Sequence, residues 1–423
     1  MNKITLATSE TSETLETFEQ FKTMKSSIKK IGVVGSGFIA RGFMLAMQNV
    51  QDFAVSKVLT RRPIASCWEF PRSDVMTNSL DELIDHSDLI VECSGDVLHA
   101  TEVVNRAFQA GLPVVTMNSE FHVTTGSFFV DKGYLTEAEG DQPGCLAALH
   151  EDAVQMGFRP LVFGNVKGFY DPNPSLENMQ FWSRKQRLTL GMVTAATDGT
   201  KMQYEQALIA NGLNATILQT GMLGPQTKNF QECVNILAEE AKRLGQAISD
   251  YTVIAKSHFK IFLIAEHDEV QQQALDYFKL GEGPYYSLFK NHILCHLEIP
   301  KTIRRAFEGR SALLNNSSRP TVSIAAIAKK KLSPGESIPH GMGSFSLRGV
   351  TVKMTEHPGH MPLGLVHNAL VKRTVEPEQI LTFQDLEIPD SLALRAWEEI
   401  RKVGTAPTFS KVGAVPTFPF GNV

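Results

Sequence analysis

Gly35-Ser36-Gly37-Phe38-Ile39-Ala40, set directly after the apolar run Ile31-Gly32-Val33-Val34, constrains this chain more than any other segment. The run reads as a buried strand and Phe38 to Val50 as an amphipathic helix, so the glycines fall on a strand-turn-helix junction. Paired glycines permit a sharp turn and close backbone approach, and the amides opening the helix point at an anion. The small Ala40 lets helix and strand pack closely. A doubly wound α/β nucleotide-binding domain is therefore expected, with Gly35, Gly37, Phe38, Ile39 and Ala40 around a dinucleotide pyrophosphate.

The end of the next strand selects the nucleotide. Val55 to Leu59 leads into Thr60-Arg61-Arg62, where an Asp or Glu would accept from the ribose hydroxyls of the unphosphorylated cofactor. A carboxylate is missing there, and a guanidinium suits a 2′-phosphate because it offers a planar donor fork with a permanent charge. NADPH is the expected cofactor, with one of the two arginines expected to be a solvated loop charge.

Asp88 to Gly95 (DLIVECSG) and Pro113 to Glu120 (PVVTMNSE) read as further buried parallel strands, separated by a helical segment from His99 to Gly111. Ligands sit at the carboxyl ends of such strands, which makes Ser94, Gly95, Asn118 and Glu120 candidates for the nicotinamide side of the cleft. For the serines and asparagine, plain turn chemistry is an equally good reading.

The 423 residues, 43% hydrophobic with a formal net charge of −4, can bury a large core and divide into two or three domains. Nothing in that balance suggests nucleic acid, and no apolar stretch is long enough to cross a bilayer. Five scattered cysteines without CxxC spacing fit reduced thiols in a cytoplasmic protein. Residues 1–29 are expected to be a polar extension, helical from about Glu13 to Ser27.

After Gly144 the pattern restarts with a helix (Leu146 to Gly157) and a strand (Leu161 to Val166) that breaks at Lys167-Gly168. Lys167 is placed to orient or polarise a carbonyl, or is a surface charge. The densest polar cluster follows, Thr197-Asp198-Gly199-Thr200-Lys201 with Glu205. If Asp198 caps a helix from Thr200, Lys201 and Glu205 share a face. That spacing describes either an inconsequential surface pair or a cleft wall in which Lys201 protonates the alkoxide formed by hydride transfer. The apolar flanks Met192 to Ala196 and Ala207 to Ala210 favour the second.

The glycine turn, the ECSG and MNSE strand ends, the GNVKG break and above all TDGTKMQYEQALIANG resemble the homoserine dehydrogenase-like oxidoreductases with a C-terminal SAF-like domain. Within these, the likeness is to the deoxyxylulose phosphate reductoisomerase-like enzymes of isoprenoid biosynthesis. The resemblance runs from about Lys30 to Arg401. It implies an N-terminal Rossmann domain, an α+β catalytic domain with Lys167, Asp198, Lys201 and Glu205 lining the substrate cleft, and a small β-rich SAF-like domain. It also implies a small-molecule substrate, a homo-oligomer and possible recruitment of Mg or Mn. Three carboxylates, Asp198, Glu205 and Glu298, are candidate ligands for such a cation, though scattered in sequence. Leu297-Glu298-Ile299-Pro300 looks like a second signature, opening a helix that runs back to the nucleotide domain. Lys290 to Leu294 departs from the family pattern, and with it the substrate is expected to differ.

In the C-terminal third, Ala328 to Ile338 echoes Val371 to Leu381 as two strand, Pro-centred turn, strand units, with Glu378 where a turn glycine is expected. Gly341-Met342-Gly343-Ser344 reads as a connector or as a loop reaching the substrate, and Lys329 to Lys331 as a solvated basic face. The expected boundaries are 30–150, 151–312 and 313–403, with a Pro-, Gly- and Phe-rich tail over 404–423. The expected reaction is NADPH-linked reduction of a carbonyl on a small polar, phosphorylated metabolite. A reductoisomerase and a non-catalytic NADP-binding sensor stand as the alternatives.

Overall fold

The computed structural model describes residues 28–255, 257–258 and 260–405; the expected N-terminal helix and nearly all of the tail lie outside them. Six strands, β1 (Lys29–Val34), β2 (Phe53–Leu59), β3 (Met76–Thr77), β4 (Leu89–Glu92), β5 (Val114–Thr116) and β6 (Leu135–Glu137), form one sheet in the order 3-2-1-4-5-6. All of its pairings are parallel, with Ile31 registered between Val55 and Leu89. This doubly wound order reverses beside β1, placing the crevice at the carboxyl ends of β1 and β4. Continuous apolar runs such as Leu89-Ile90-Val91 serve strands covered by helices on both faces.

Where Pro113 to Glu120 reads as one strand in the sequence, β5 stops at Thr116. Asn118 caps a new helix, Ser119–Thr125, its Oδ1 accepting from the Phe121 amide at 3.0 Å. The local hydrogen bond an Asn offers outcompetes continuation of the ladder. Ser119 and Glu120 are thus first-turn helical residues.

A second sheet follows, from β7 (Arg159–Lys167), β8 (Ile248–Val253), β9 (Ile261–Glu266) and β10 (Tyr286–Lys290) in the order 10-9-7-8. The amphipathic helix Phe230–Leu244 buries Val234, Leu237 and Ala241 against Val162, Ile248 and Ile264 on one face. Against the other lies the helix Thr200–Gly212, buried along all but two of its residues. Such a helix has no solvent face, so its polar side chains must be satisfied inside. Gln206 donates to the carbonyl of Phe163 at 2.9 Å and also to that of Asp250, while Thr200 Oγ1 and Gln203 Oε1 accept from the amides of Gly349 and Thr351 at 2.9 and 2.8 Å. Asn211 bridges to Thr321, Val322 and Asn316.

Val322, Gly349 and Thr351 belong to the C-terminal strands: β11 (Val322–Ala328), β12 (Ser337–His340), β13 (Leu347–Lys353), β14 (His367–Val371) and β15 (Leu386–Glu387). The two repeat units pair with each other, Leu332 opposite Val375 and the Gly335 amide on the Val371 carbonyl. Their turns match in backbone too, since Gly335 has φ +85° and Glu378 φ +62°. Glu378 therefore occupies a left-handed position that a glycine takes without cost, held there in part by Arg348.

The helix Ile299–Phe307 returns to the first sheet as its sequence suggests. Ile299 and Ile303 join the cluster of Ile31, Val33, Phe43 and Phe53, and the Arg304 fork meets Asp52 at 2.8 and 3.0 Å. Among the described residues no helix is long and apolar enough to cross a membrane.

Candidate active site

Gly35 has φ +105°, and a Cβ there would stand 2.9 Å from the Cys93 carbonyl oxygen, so only glycine lets β1 turn this close to β4. At Gly37 a Cβ would meet nothing, because that position faces open space. The helix Phe38–Ala46 begins on Gly37 without a side-chain cap, which leaves its first amides aimed outward for an anion. Ala40 is buried against β1, as its size suggests.

The two arginines separate. Arg62 Nη2 donates to both the carbonyl and Oγ of Ser36 at 2.9 Å, and Ser36 Oγ lies 2.8 Å from Thr60 Oγ1. Glycine turn, threonine and guanidinium thus form one polar corner. Arg61 pairs with Asp96 at 2.8 Å, beside a second hollow of ≈ 500 Å³ bordered by Thr60, Asn78, His99 and Glu102. Beneath Ser94 and Gly95, Glu92 is fully buried. It accepts from the Ser94 amide at 2.8 Å and from Thr116 Oγ1 at 3.1 Å, and burial raises its pKa. Its place in ECSG, as the last residue of β4, is the signal in the sequence that points to it.

The main cleft measures ≈ 980 Å³. Gly37, Phe38, Ile39, Ser94, Gly95 and Glu120 border it from the nucleotide side and Lys201 from the buried helix. His340, Gly341 and Met342 border it from the C-terminal strands, so the Gly341–Ser344 loop does reach the site. His340 and His367 are cross-strand partners whose Nδ1 atoms lie 3.1 Å apart at its edge.

Lys201 and Glu205 share a helix face as the spacing requires, and the pair is no surface ornament. Glu205 is inaccessible, Lys201 one-third exposed to the cleft, and their charged atoms stand 3.8 Å apart. Asp141 approaches Lys201 at 3.7 Å from the other side. Both separations exceed hydrogen-bonding distance, so the ammonium is held by charge while its N–H groups stay free for another acceptor. Burial works against the charge on Lys201, but Asp141, Glu120, Glu205 and Glu137 outweigh it and raise the pKa above that of an ordinary lysine. Burial pushes Glu205 up to about 7, against the pull of Lys167 and Lys201. Its Oε2 accepts from Asn165 Nδ2 at 2.7 Å and Oε1 has no partner. Behind it, His122 and Glu137 form a sealed pair 2.7 Å apart, in which burial lowers His122 to about 3 and raises Glu137.

Two expectations fail here. Asp198 is not brought to this cluster: its Oδ1 accepts from the Thr200 amide at 2.9 Å, and its Oδ2 makes a buried ion pair with Lys329 at 2.5 Å. Lys329 accordingly is not part of a solvated face, although Lys330 and Lys331 are exposed. The pair is sealed from water, with Lys329 4% and Asp198 0% exposed. Lys167 reaches Glu205 Oε2 at 3.9 Å but is not among the cleft-lining side chains. His296 packs on Phe38 and Gly42, and burial lowers its pKa.

The carboxylates considered for a cation do not converge. Asp198 is held by Lys329, Glu205 lies between two lysines, and Glu298 meets Lys290 at 2.5 Å. Among the described residues no group of three His, Cys, Asp or Glu is arranged for a metal ion.

Strand order, glycine turn and the lysine beside it define an NAD(P)-dependent oxidoreductase. Residues 31–126 match the family model of the homoserine dehydrogenase NAD-binding domain, and residues 140–299 match that of the oxidoreductase DRL catalytic domain. A comparison with curated proteins finds no match. Among solved structures, similar chains include UDP-N-acetylglucosamine 3-dehydrogenase from Acidithiobacillus ferrooxidans, with 10% identity and a TM-score of 0.40, covering 68% of this chain and 92% of that one. An oxidoreductase from Thermotoga maritima has 14% identity and a TM-score of 0.39, covering 68% and 91%.

Proposed function

We propose that the chain reduces a substrate carbonyl with NADPH, with Lys201 as the proton donor. The observation that carries this is the Lys201 ammonium, which borders the same cleft as the glycine turn and stands 3.7 Å from Asp141 and 3.8 Å from Glu205, beyond hydrogen-bonding distance of either. Bound nicotinamide supplies the hydride. Lys201 orients the carbonyl oxygen and gives it a proton as negative charge develops there. Glu205, a buried acid with a pKa near 7 and a free oxygen, returns a proton to Lys201. Lys167 and Asn165 hold Glu205 in place.

The relay sets a pH dependence. Below about pH 7 Glu205 carries the proton that reduction consumes, and above it that proton is gone. The rate of reduction is expected to fall as pH rises through about 7, and Glu205→Gln to flatten that limb, as read from kcat against pH. A limb unchanged in the variant would remove Glu205 from the relay.

The Ser36, Thr60 and Arg62 corner supports the choice of NADPH. A charge-assisted bond is worth about 1.5–3 kcal/mol, or about 10- to 100-fold in affinity. Arg62→Ala is expected to weaken NADPH binding by about that factor and leave NADH binding nearly unchanged, measured by nucleotide fluorescence titration.

A phosphorylated substrate would find Arg61 and Lys201 as cationic groups along the cleft, with the His340–His367 pair at its edge. The sequence resemblance carries a second reading, a reductoisomerase acting on deoxyxylulose phosphate. Asp198, Glu205 and Glu298 each already face a lysine, so these three would not supply its Mg or Mn site. NADPH consumption on adding that substrate with either cation decides between the two.

A further inference from the structure

The nucleotide accounts for only one wall of the cleft. Opposite the glycine turn stand Met179, Trp182, Leu188, Met192, Val193 and Met342, none of which belongs to the nucleotide-binding sheet or its helices. Trp182 remains 40% and Met192 47% exposed, so apolar surface is presented to the cleft instead of being packed away.

This wall is built, not draped. A Cβ on Gly343 would stand 2.3 Å from the Gly191 carbonyl oxygen, so the Gly341–Ser344 loop abuts the backbone beside Met192. Buried Lys329 fixes the same loop by donating to the Ser344 carbonyl at 2.7 Å. Charged groups enter from the nucleotide side and Lys201, while this wall adds only the neutral Gln186, Thr189 and Thr197, with the histidine pair at the edge.

Resting on the carbonyl-reductase reading above, we infer that the substrate is amphipathic: its carbonyl end meets Lys201, and an apolar body of several carbons lies against Met192, Trp182 and Met342.

The test is a homologous series of straight-chain aldehydes and methyl ketones, assayed by NADPH oxidation with the full chain. Each added methylene is worth about 0.8 kcal/mol of burial, so kcat/KM should climb about three- to fourfold per carbon until the wall is covered. Met192→Glu should abolish the climb and Met192→Leu retain it. A flat or falling series overturns the inference, as does a best substrate that is a short sugar phosphate. Displacement of the neutral fluorophore N-phenyl-1-naphthylamine from the NADP-loaded protein gives a readout independent of turnover. Should no carbonyl be reduced, the reductase reading fails by itself. Fluorophore binding that Met192→Glu removes then upholds the apolar subsite, and binding indifferent to that change overturns it.

Discussion

Lys201→Met should lower kcat by about 10²–10⁴-fold, the usual contribution of a positioned general acid, while the affinity for NADPH stays as it was. Methionine keeps the length and volume of the side chain and removes only the charge and its protons. The nucleotide corner built by Ser36, Thr60 and Arg62 rests on other elements, so binding and turnover should separate cleanly. Single-turnover NADPH oxidation together with a fluorescence titration checks both halves. A kcat within threefold of the parent would reduce Lys201 to a partner for Asp141 and Glu205. Loss of nucleotide binding would show that the substitution had disturbed the fold.

Lys329→Met should be the most destabilising single change of those considered. Lys329 and Asp198 are 4% and 0% exposed, and removing one member of such a pair strands the other charge inside. The cost of that situation is about 3–5 kcal/mol. Denaturant and thermal midpoints should fall together, and Asp198→Asn added to Lys329→Met should recover part of the loss, because no buried charge then remains. The same substitution releases Ser344, so KM should rise even at temperatures where the variant is folded. A midpoint within experimental error of the parent would mean that water reaches Asp198.

The nucleotide sheet was legible because its signals are local. Gly35, Gly37 and Ala40 are diagnostic by spacing. Lys201 and Glu205 were legible as helix-face neighbours four apart, and the matching turns at Gly335 and Glu378 as an internal repeat. What stayed hidden depends on partners distant in sequence. Asp198 reads as a helix cap and does cap, through Oδ1 on the Thr200 amide, but its other oxygen is taken by Lys329, 131 residues later. The polar residues of Thr200 to Asn211 look like a site, yet Thr200, Gln203, Gln206 and Asn211 answer backbone groups of two different sheets. Asn118 shows the opposite failure, since a capping residue inside an apolar run was overlooked and a strand extended past its end.

The clamped helix has a mechanical corollary. Because the lysine-bearing segment is hydrogen-bonded to the second sheet on one flank and to the C-terminal strands on the other, it ties those two regions together however the sequence is divided. The C-terminal strands are therefore not a detachable accessory. Cutting the chain before Val322 would strip partners from Thr200, Gln203 and Asn211 at once.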